Sequence, residues 1–294
     1  MKIKISAVTD VGLERNNNED AFVFCPNLSN QDWGKSEMSQ YIPLGEFGAL
    51  MVVADGMGGA NAGEVASAIA MKSVEDVFSE DNLRKYVSSE NVEQLLHLCV
   101  KKADEDISKR IWDDPDTAGM GTTIVLCWLI RNVAYIAWCG DSRCYVYNPK
   151  SGLKLLTKDH SYVQELVDKG EISLQEAFCH PDNNIITRGL GDVDSEAIPD
   201  VVKYNILLND TFLLCSDGLC GYSTDRLIEQ VIEKSYTDVD RCCCELLKLA
   251  LDNGGHDNIC ITLTSVIGDN LDSPVPLTNI QRLMIGVKRL FRGR

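Results

Sequence analysis

Acidic residues recur where apolar runs end. Leu50-Met-Val-Val-Ala-Asp55-Gly-Met-Gly-Gly59 and Phe212-Leu-Leu-Cys-Ser-Asp217-Gly-Leu219 share one form, an apolar run closed by Asp-Gly. Asp257 follows Gly254-Gly255-His256 and precedes the apolar run Ile259 to Val266, Glu19-Asp20 precede Ala21 to Phe24, and Asp141 lies in Gly140-Asp141-Ser142-Arg143. Each alone reads as a turn, because Asp tolerates turn backbones and Gly supplies them. Together they point to chemistry, since strand ends on one edge of neighbouring sheets gather these carboxylates in one cleft. Two carboxylates about 4 Å apart repel by about 4 kcal/mol at an effective dielectric near 20, so the cluster needs counter-charge. An all-oxygen ligand set without a coherent His/Cys group selects hard ions, magnesium or manganese, over zinc. A pair of such ions lowers the pKa of a shared water and orients it for in-line attack on phosphorus. Gly56, Gly58 and Gly59 leave room for backbone to approach an ion or ligand. Arg15, four residues before Glu19, has the planar fork suited to phosphate oxygens.

The elements that must position these residues are legible in part. Strand-like runs occur at Ala21 to Phe24, Ala49 to Ala54, Ile124 to Ile130, Val133 to Trp138, Cys144 to Tyr147, Thr211 to Cys215 and Ile259 to Val266, several bounded by turn residues. Helical spacing of apolar residues predicts helices over Ala62 to Phe78, Val92 to Ile111 and Val239 to Leu251. Strands and helices come in blocks, which predicts an α+β fold of two antiparallel sheets with helices outside. Residues 26 to 46 read as a polar surface insertion, and Thr157 to Pro199 as a lobe beside the core.

Composition narrows the class. At 294 residues, 45% hydrophobic and 24% charged, the chain is an ordinary globular sequence. It holds no apolar run of about 20 residues and its N-terminus lacks a signal-peptide core, so a cytoplasmic location is expected. A net charge of -16 excludes non-specific nucleic-acid binding and suits a collector of cations. Residues 268 to 294 carry five Lys/Arg and two Asp/Glu, net +3, which leaves -19 on the rest. Most of the twelve cysteines sit in apolar runs, as small reduced hydrophobes, and no Cys-x-x-Cys pair argues for zinc.

The residues taken in order resemble the metal-dependent protein serine/threonine phosphatase family, type 2C, in its bacterial form. The matching stretches are Thr9-Asp-x-Gly-x-x-Arg15-x-x-Asn-Glu19-Asp20, Asp55-Gly-Met-Gly-Gly59, Gly121-Thr-Thr123, Gly140-Asp-Ser-Arg143, Leu156-Thr-x-Asp-His-Ser161, Ile186-Thr-Arg188-x-Leu-Gly191, Ser216-Asp-Gly-Leu219 and Gly255-x-Asp-Asn258. They span about residues 6 to 266. The resemblance implies a four-layer α-β-β-α sandwich, a catalytic domain over residues 1 to 268 and a mobile flap over about 161 to 199. It implies two or three manganese or magnesium ions. Asp55 would bridge two of them, with Glu19 and the Gly56 carbonyl on one and Asp217 and Asp257 on the other. Asp141 would help hold a weaker third ion that Asp217 shares. Asp20 would orient water, Arg15 would clamp the phosphoryl group, and a bridging hydroxide would hydrolyse phosphoserine or phosphothreonine without a phosphoenzyme. Partners implied by this reaction are phosphorylated proteins, a serine/threonine kinase among them, with the enzyme a monomer. Animal members carry a histidine where Met57 stands; a thioether donates no proton, so water at the ions replaces it, with His160 a weaker candidate.

Two rival readings compete with this one. Cys220 and Arg226 have the Cys-x5-Arg spacing of thiol phosphatases, although Asp225 would place negative charge in the cradle and Ser223 or Thr224 reads as a helix N-cap. A catalytically silent phosphoprotein binder of the same fold would be expected to have lost ligands, and none of the expected ones is missing. The tail, residues 269 to 294, is basic, and its Leu283, Val287 and Leu290 recur at helical spacing, a pattern that fits contact with an anionic membrane or an acidic partner.

Overall fold

The computed structural model describes residues 1–34, 38, 40–58, 62–88, 90–192, 196–268 and 271–273. Gly59 and the tail from 274 onward, with its proposed amphipathic helix, lie outside the described residues. In chain order the strands are β1 (Lys2–Asp10), β2 (Ala21–Cys25), β3 (Ile42–Pro43), β4 (Ala49–Ala54), β5 (Gly56–Met57), β6 (Gly121–Thr122), β7 (Ile124–Ile130), β8 (Val133–Cys139), β9 (Arg143–Asn148), β10 (Gly152–Leu155), β11 (Asp200–Asn205), β12 (Thr211–Cys215) and β13 (Ile259–Ile267). The helices are α1 (Gly63–Val77), α2 (Glu80–Ser88), α3 (Val92–Asp113), α4 (Tyr162–Asp168), α5 (Leu174–Phe178), α6 (Asp217–Cys220), α7 (Asp225–Ser235) and α8 (Val239–Asp252).

Among the described residues the strands form a six-stranded sheet, β10-β9-β12-β13-β1-β3, a five-stranded sheet, β11-β8-β7-β4-β2, and a small two-stranded sheet of β5 and β6, all pairs antiparallel. The two larger sheets face each other and helices cover both outer faces, the expected α-β-β-α sandwich. Side chains on a strand alternate faces, and here both faces are dry. On β7, Ile124, Leu126, Trp128 and Ile130 pack with α1, α2 and α3, while Val125, Cys127 and Leu129 point into the space between the sheets. β4 divides in the same way, Leu50 and Val52 outward, Met51 and Val53 inward. That double burial is why these strands read as unbroken apolar runs. On the far side Leu213, Ile261 and Leu263 pack with Ile228, Ile232, Cys242 and Leu246 of α7 and α8.

Three differences from the expected elements have physical causes. β1, unassigned from sequence, is an inner strand between β13 and β3; Lys2-Ile3-Lys4-Ile5 alternates because only every second residue is buried there. The insertion after β2 buries Leu28 completely and returns as β3 on the six-stranded edge, so it completes a sheet. The segment after His160 forms α4, capped at its N-terminus by Ser161, and α5, opened by a Ser173–Glu176 capping box. Its return limb is stitched to the core: Leu190 exchanges backbone hydrogen bonds with Thr122, and Asp104 of α3 accepts from the N–H of Gly191 and Ala197.

Candidate active site

Chain crossings between the sheets place the acids. Glu19 and Asp20 end the β1-to-β2 crossing, and Asp141 sits in the β8-to-β9 crossing. Asp55 follows β4, Asp217 opens α6 just after β12, and Asp257 leads into β13. These termini lie at one end of the sandwich, so all six carboxylates gather there. Asp55 is within hydrogen-bonding reach of both Asp20 and Asp217, Asp217 and Asp257 repel each other, and Asp141 faces Asp217. Asp55, Asp217 and Asp257 are half-buried at the cleft, while Asp20 and Asp141 are buried behind them.

Backbone hydrogen bonds fix this arrangement. The Asp55 carbonyl accepts from Thr123 N and Thr122 Oγ1, both at 2.8 Å, and Asp55 N donates to Thr123 Oγ1 at 3.1 Å. Thr123 Oγ1 also meets Ser142 Oγ at 2.7 Å, which couples the Asp55 turn to the Asp141 turn. Ser216 Oγ donates to Asp20 Oδ2 at 2.6 Å and accepts from Cys260 N at 2.9 Å. The Gly56 and Glu19 loops touch backbone to backbone: a Cβ on Gly56 would lie 2.5 Å from the Glu19 carbonyl, and one on Gly63 2.2 Å from Glu19 Oε2. Only glycine permits that approach.

Electrostatics mark the cluster as incomplete by itself. Burial first, then neighbouring acids, push Asp20 up to about 8 and Asp217 up to about 6, and hold Asp55 and Asp141 well above the usual carboxylate range. Burial raises Glu19 as well. Asp20 Oδ1, Asp141 Oδ1 and Asp217 Oδ1 are buried and receive no hydrogen bond from the described residues. Buried carboxylate oxygens normally have a donor or a cation. Among the described residues no three His, Cys, Asp or Glu side chains close around one point as a cage. Acids that meet in pairs suit magnesium-type ions, which keep several waters and take one or two carboxylates each. The donor set therefore fits hard divalent cations.

Arg15 lies beside the cluster, its Nη2 2.7 Å from Asp257 Oδ2, and this bond raises its already high pKa. His160 is not placed to donate a proton: its Nδ1 accepts from Gly140 N at 3.1 Å, its ring stacks on Trp138, and burial lowers its pKa. Its Nε2 lies 3.3 Å from Asp200 Oδ2, near enough to pair electrostatically although the angle misses a hydrogen bond. Cys220 is 2% exposed, and the adjacent Cys215 sulfur together with burial holds its thiol well above the usual range, the reverse of what a thiolate nucleophile needs. Thr224 does precede α7, but without a side-chain cap.

Sequence reasoning gave no role to Asn258, which ties its own loop to the β1-to-β2 loop at three points. Its Oδ1 accepts from Glu19 N at 2.8 Å, and its Nδ2 donates to the carbonyls of Val11 and Asn17 at 3.0 and 2.8 Å. Half-buried Arg143, bidentate to Asp159, was likewise left without a role. Membership of both in the ordered motifs was the available signal.

A sandwich of two antiparallel sheets with acids gathered at one end, fit for hard cations, defines the metal-dependent phosphatase class. The profile described as Protein phosphatase 2C matches residues 7–259, and the chain belongs to that family. It is 33% identical over 255 residues to the serine/threonine phosphatase stp of Listeria monocytogenes, covering 87% of this chain and 92% of that protein. The crystal structure of serine/threonine phosphatase Stp1 from Staphylococcus aureus superposes with a TM-score of 0.76 at 33% identity, over 90% of this chain and 95% of that one. The catalytic domain of the serine/threonine phosphatase PstP, solved with two manganese ions, gives a TM-score of 0.71 at 28% identity, over 91% and 99% of the two chains. The chain is a metal-dependent protein serine/threonine phosphatase.

Proposed function

We infer that two or three manganese or magnesium ions serve this phosphatase, held by Glu19, Asp55, the Gly56 carbonyl, Asp141, Asp217 and Asp257. The reading is supported chiefly by the buried, unpartnered oxygens of Asp20, Asp141 and Asp217 in a cluster of mutually repelling acids. The two manganese ions of the PstP structure support the ion type and number. When bound, such ions lower the pKa of water and neutralise phosphate charge. The chain's own groups do the rest. Arg15 presents its fork to two phosphoryl oxygens, held at the cleft by Asp257. Asp20, with one oxygen fixed by Ser216, turns the other toward the attacking water. Met57 contributes no acid, so solvent protonates the departing serine or threonine alkoxide. Substrates are phosphoproteins, the products of serine/threonine kinases, and the enzyme acts as a cytoplasmic monomer.

The test is manganese-dependent hydrolysis of a phosphothreonine peptide. Asp55→Asn and Asp217→Asn are expected to lose at least about a thousandfold in kcat/KM, roughly 4 kcal/mol of transition-state stabilisation, while Cys220→Ser retains activity. Full activity in Asp217→Asn would refute the metal assignment.

A further inference from the structure

Beyond the phosphate-binding end of the site lies an open groove of about 550 Å³ lined by Glu14, Arg15, Tyr222 and His256. None of Glu14, Tyr222 or His256 is used by the chemistry above. Three loops build the groove: one after β1, one between α6 and α7, and one between α8 and β13. They are knitted together, since Leu13 N donates to the Gly255 carbonyl at 2.7 Å and Asn253 Nδ2 donates to the Tyr222 carbonyl at 3.2 Å. The walls are thus preformed, which lowers the ordering cost of binding.

The chemistry of the walls selects an occupant. Tyr222, in the groove wall, is 39% exposed, and Leu13, next to Glu14 in the chain and beside Gly255, is 69% exposed at its rim. The Tyr222 ring lies 5.1 Å from the His256 ring and is tilted 44° to it, so the two rings form an angled wall. The polar groups here already have partners: His256 Nδ1 meets Glu14 Oε1 at 2.6 Å and Arg15 Nη2 meets Asp257 Oδ2 at 2.7 Å. An apolar side chain can therefore enter with these pairs intact, whereas an acidic one would compete with Glu14 and Asp257 for His256 and Arg15 in a chain of net charge -16. Arg15 is shared by the groove and the phosphate end, so a substrate whose phosphate sits at Arg15 runs its neighbouring residues along Tyr222.

We propose that this groove is a specificity subsite that takes an apolar side chain flanking the phosphoserine or phosphothreonine of the substrate, with Tyr222 and Leu13 as the residues that read it. The proposal rests on the assigned metal site. Its occupant is the phosphoprotein itself, because the groove continues the site where the phosphate must bind.

The experiment uses the full chain with manganese and phosphothreonine peptides in an alanine background, with a single Leu or Asp placed at each flanking position in turn. At one or more positions the Leu peptide should exceed its Asp counterpart in kcat/KM by about tenfold, the effect of one partly buried side chain. The difference should lie in KM, and Tyr222→Ala should shrink it below about twofold. Leu13→Ser, at a more exposed position, provides the same readout should Tyr222→Ala fail to fold. Equal kcat/KM for the Leu and Asp peptides at every position, or a preference that persists in both variants, would overturn the subsite while leaving the phosphatase assignment intact. No hydrolysis of any peptide would overturn the metal site and the subsite with it.

Discussion

Asn258 shows how much of the site rests on a residue that does no chemistry. Its side-chain amide satisfies Glu19 N, the Val11 carbonyl and the Asn17 carbonyl, so one side chain fixes the loop that carries both Arg15 and Glu19 against Asp257. Asn258→Ala leaves these groups unpaired and should weaken manganese affinity by about 10- to 100-fold, the usual effect of losing a group that orients a ligand. Isothermal titration reads this directly; unchanged affinity would show that the loop holds itself. Arg15→Ala is expected to lower kcat/KM by about 10- to 100-fold, the worth of a charged hydrogen bond to phosphate. Arg15→Lys should recover part of it, as a point charge without the fork. Steady-state kinetics on one phosphopeptide separates the two.

At the scale of elements, the strand ends carry the function and the strands supply the rigidity. β4 ends in Ala54, and the next peptide is held from both sides by Thr122 and Thr123, which begin the passage from β6 to β7. Thr123→Val conserves shape but leaves Asp55 N–H without its acceptor and Ser142 without its partner, at a cost of about 1–3 kcal/mol. A lower melting temperature together with weaker manganese binding is the expected pair of effects. Lower stability with normal metal affinity would mean that the clamp supports the fold alone. The limb that returns after α5 is tied to the same place, because Leu190 pairs with Thr122. That limb and the acid cluster thereby share one backbone junction.

For the whole molecule, a pH-dependent contribution to stability arises far from the cleft. Asp210 is fully buried before β12, accepts from Leu207 N and Asn148 Nδ2, and is nonetheless pushed up to about 6 because burial outweighs these bonds. A carboxyl whose folded pKa exceeds its unfolded value of 3.8 contributes stability that is fully present below that value and lost as pH rises through about 6. Asp210→Asn removes the dependence. Relative to the native chain, the variant should gain about 2–3 kcal/mol on going from about pH 4 to about pH 7.5, the free energy of ionising a carboxyl that folding has raised from 3.8 to about 6. Urea midpoints at the two pH values check it, and a constant difference would contradict it. No helix among the described residues is long and apolar enough to cross a membrane.

The acids and the main strands were legible because their signals are local. Double burial wrote β4, β7 and β12 as unbroken apolar runs, and Asp-Gly marked where β4 and β12 stop. Those runs could not reveal β1 as an inner strand, since its lysines interrupt the apolar signal, nor that residues 42–43 return to complete its sheet. The resemblance ordered the ligands along the chain, yet their meeting at one end follows from which strands pair and where the chain crosses between sheets. Asn258, Thr123 and Ser216 acquire roles only through partners tens to hundreds of residues away. Sequence alone determined which residues want burial and which want charge. Tertiary structure decided which of them meet, because antiparallel register and sheet crossing join positions that the chain keeps far apart.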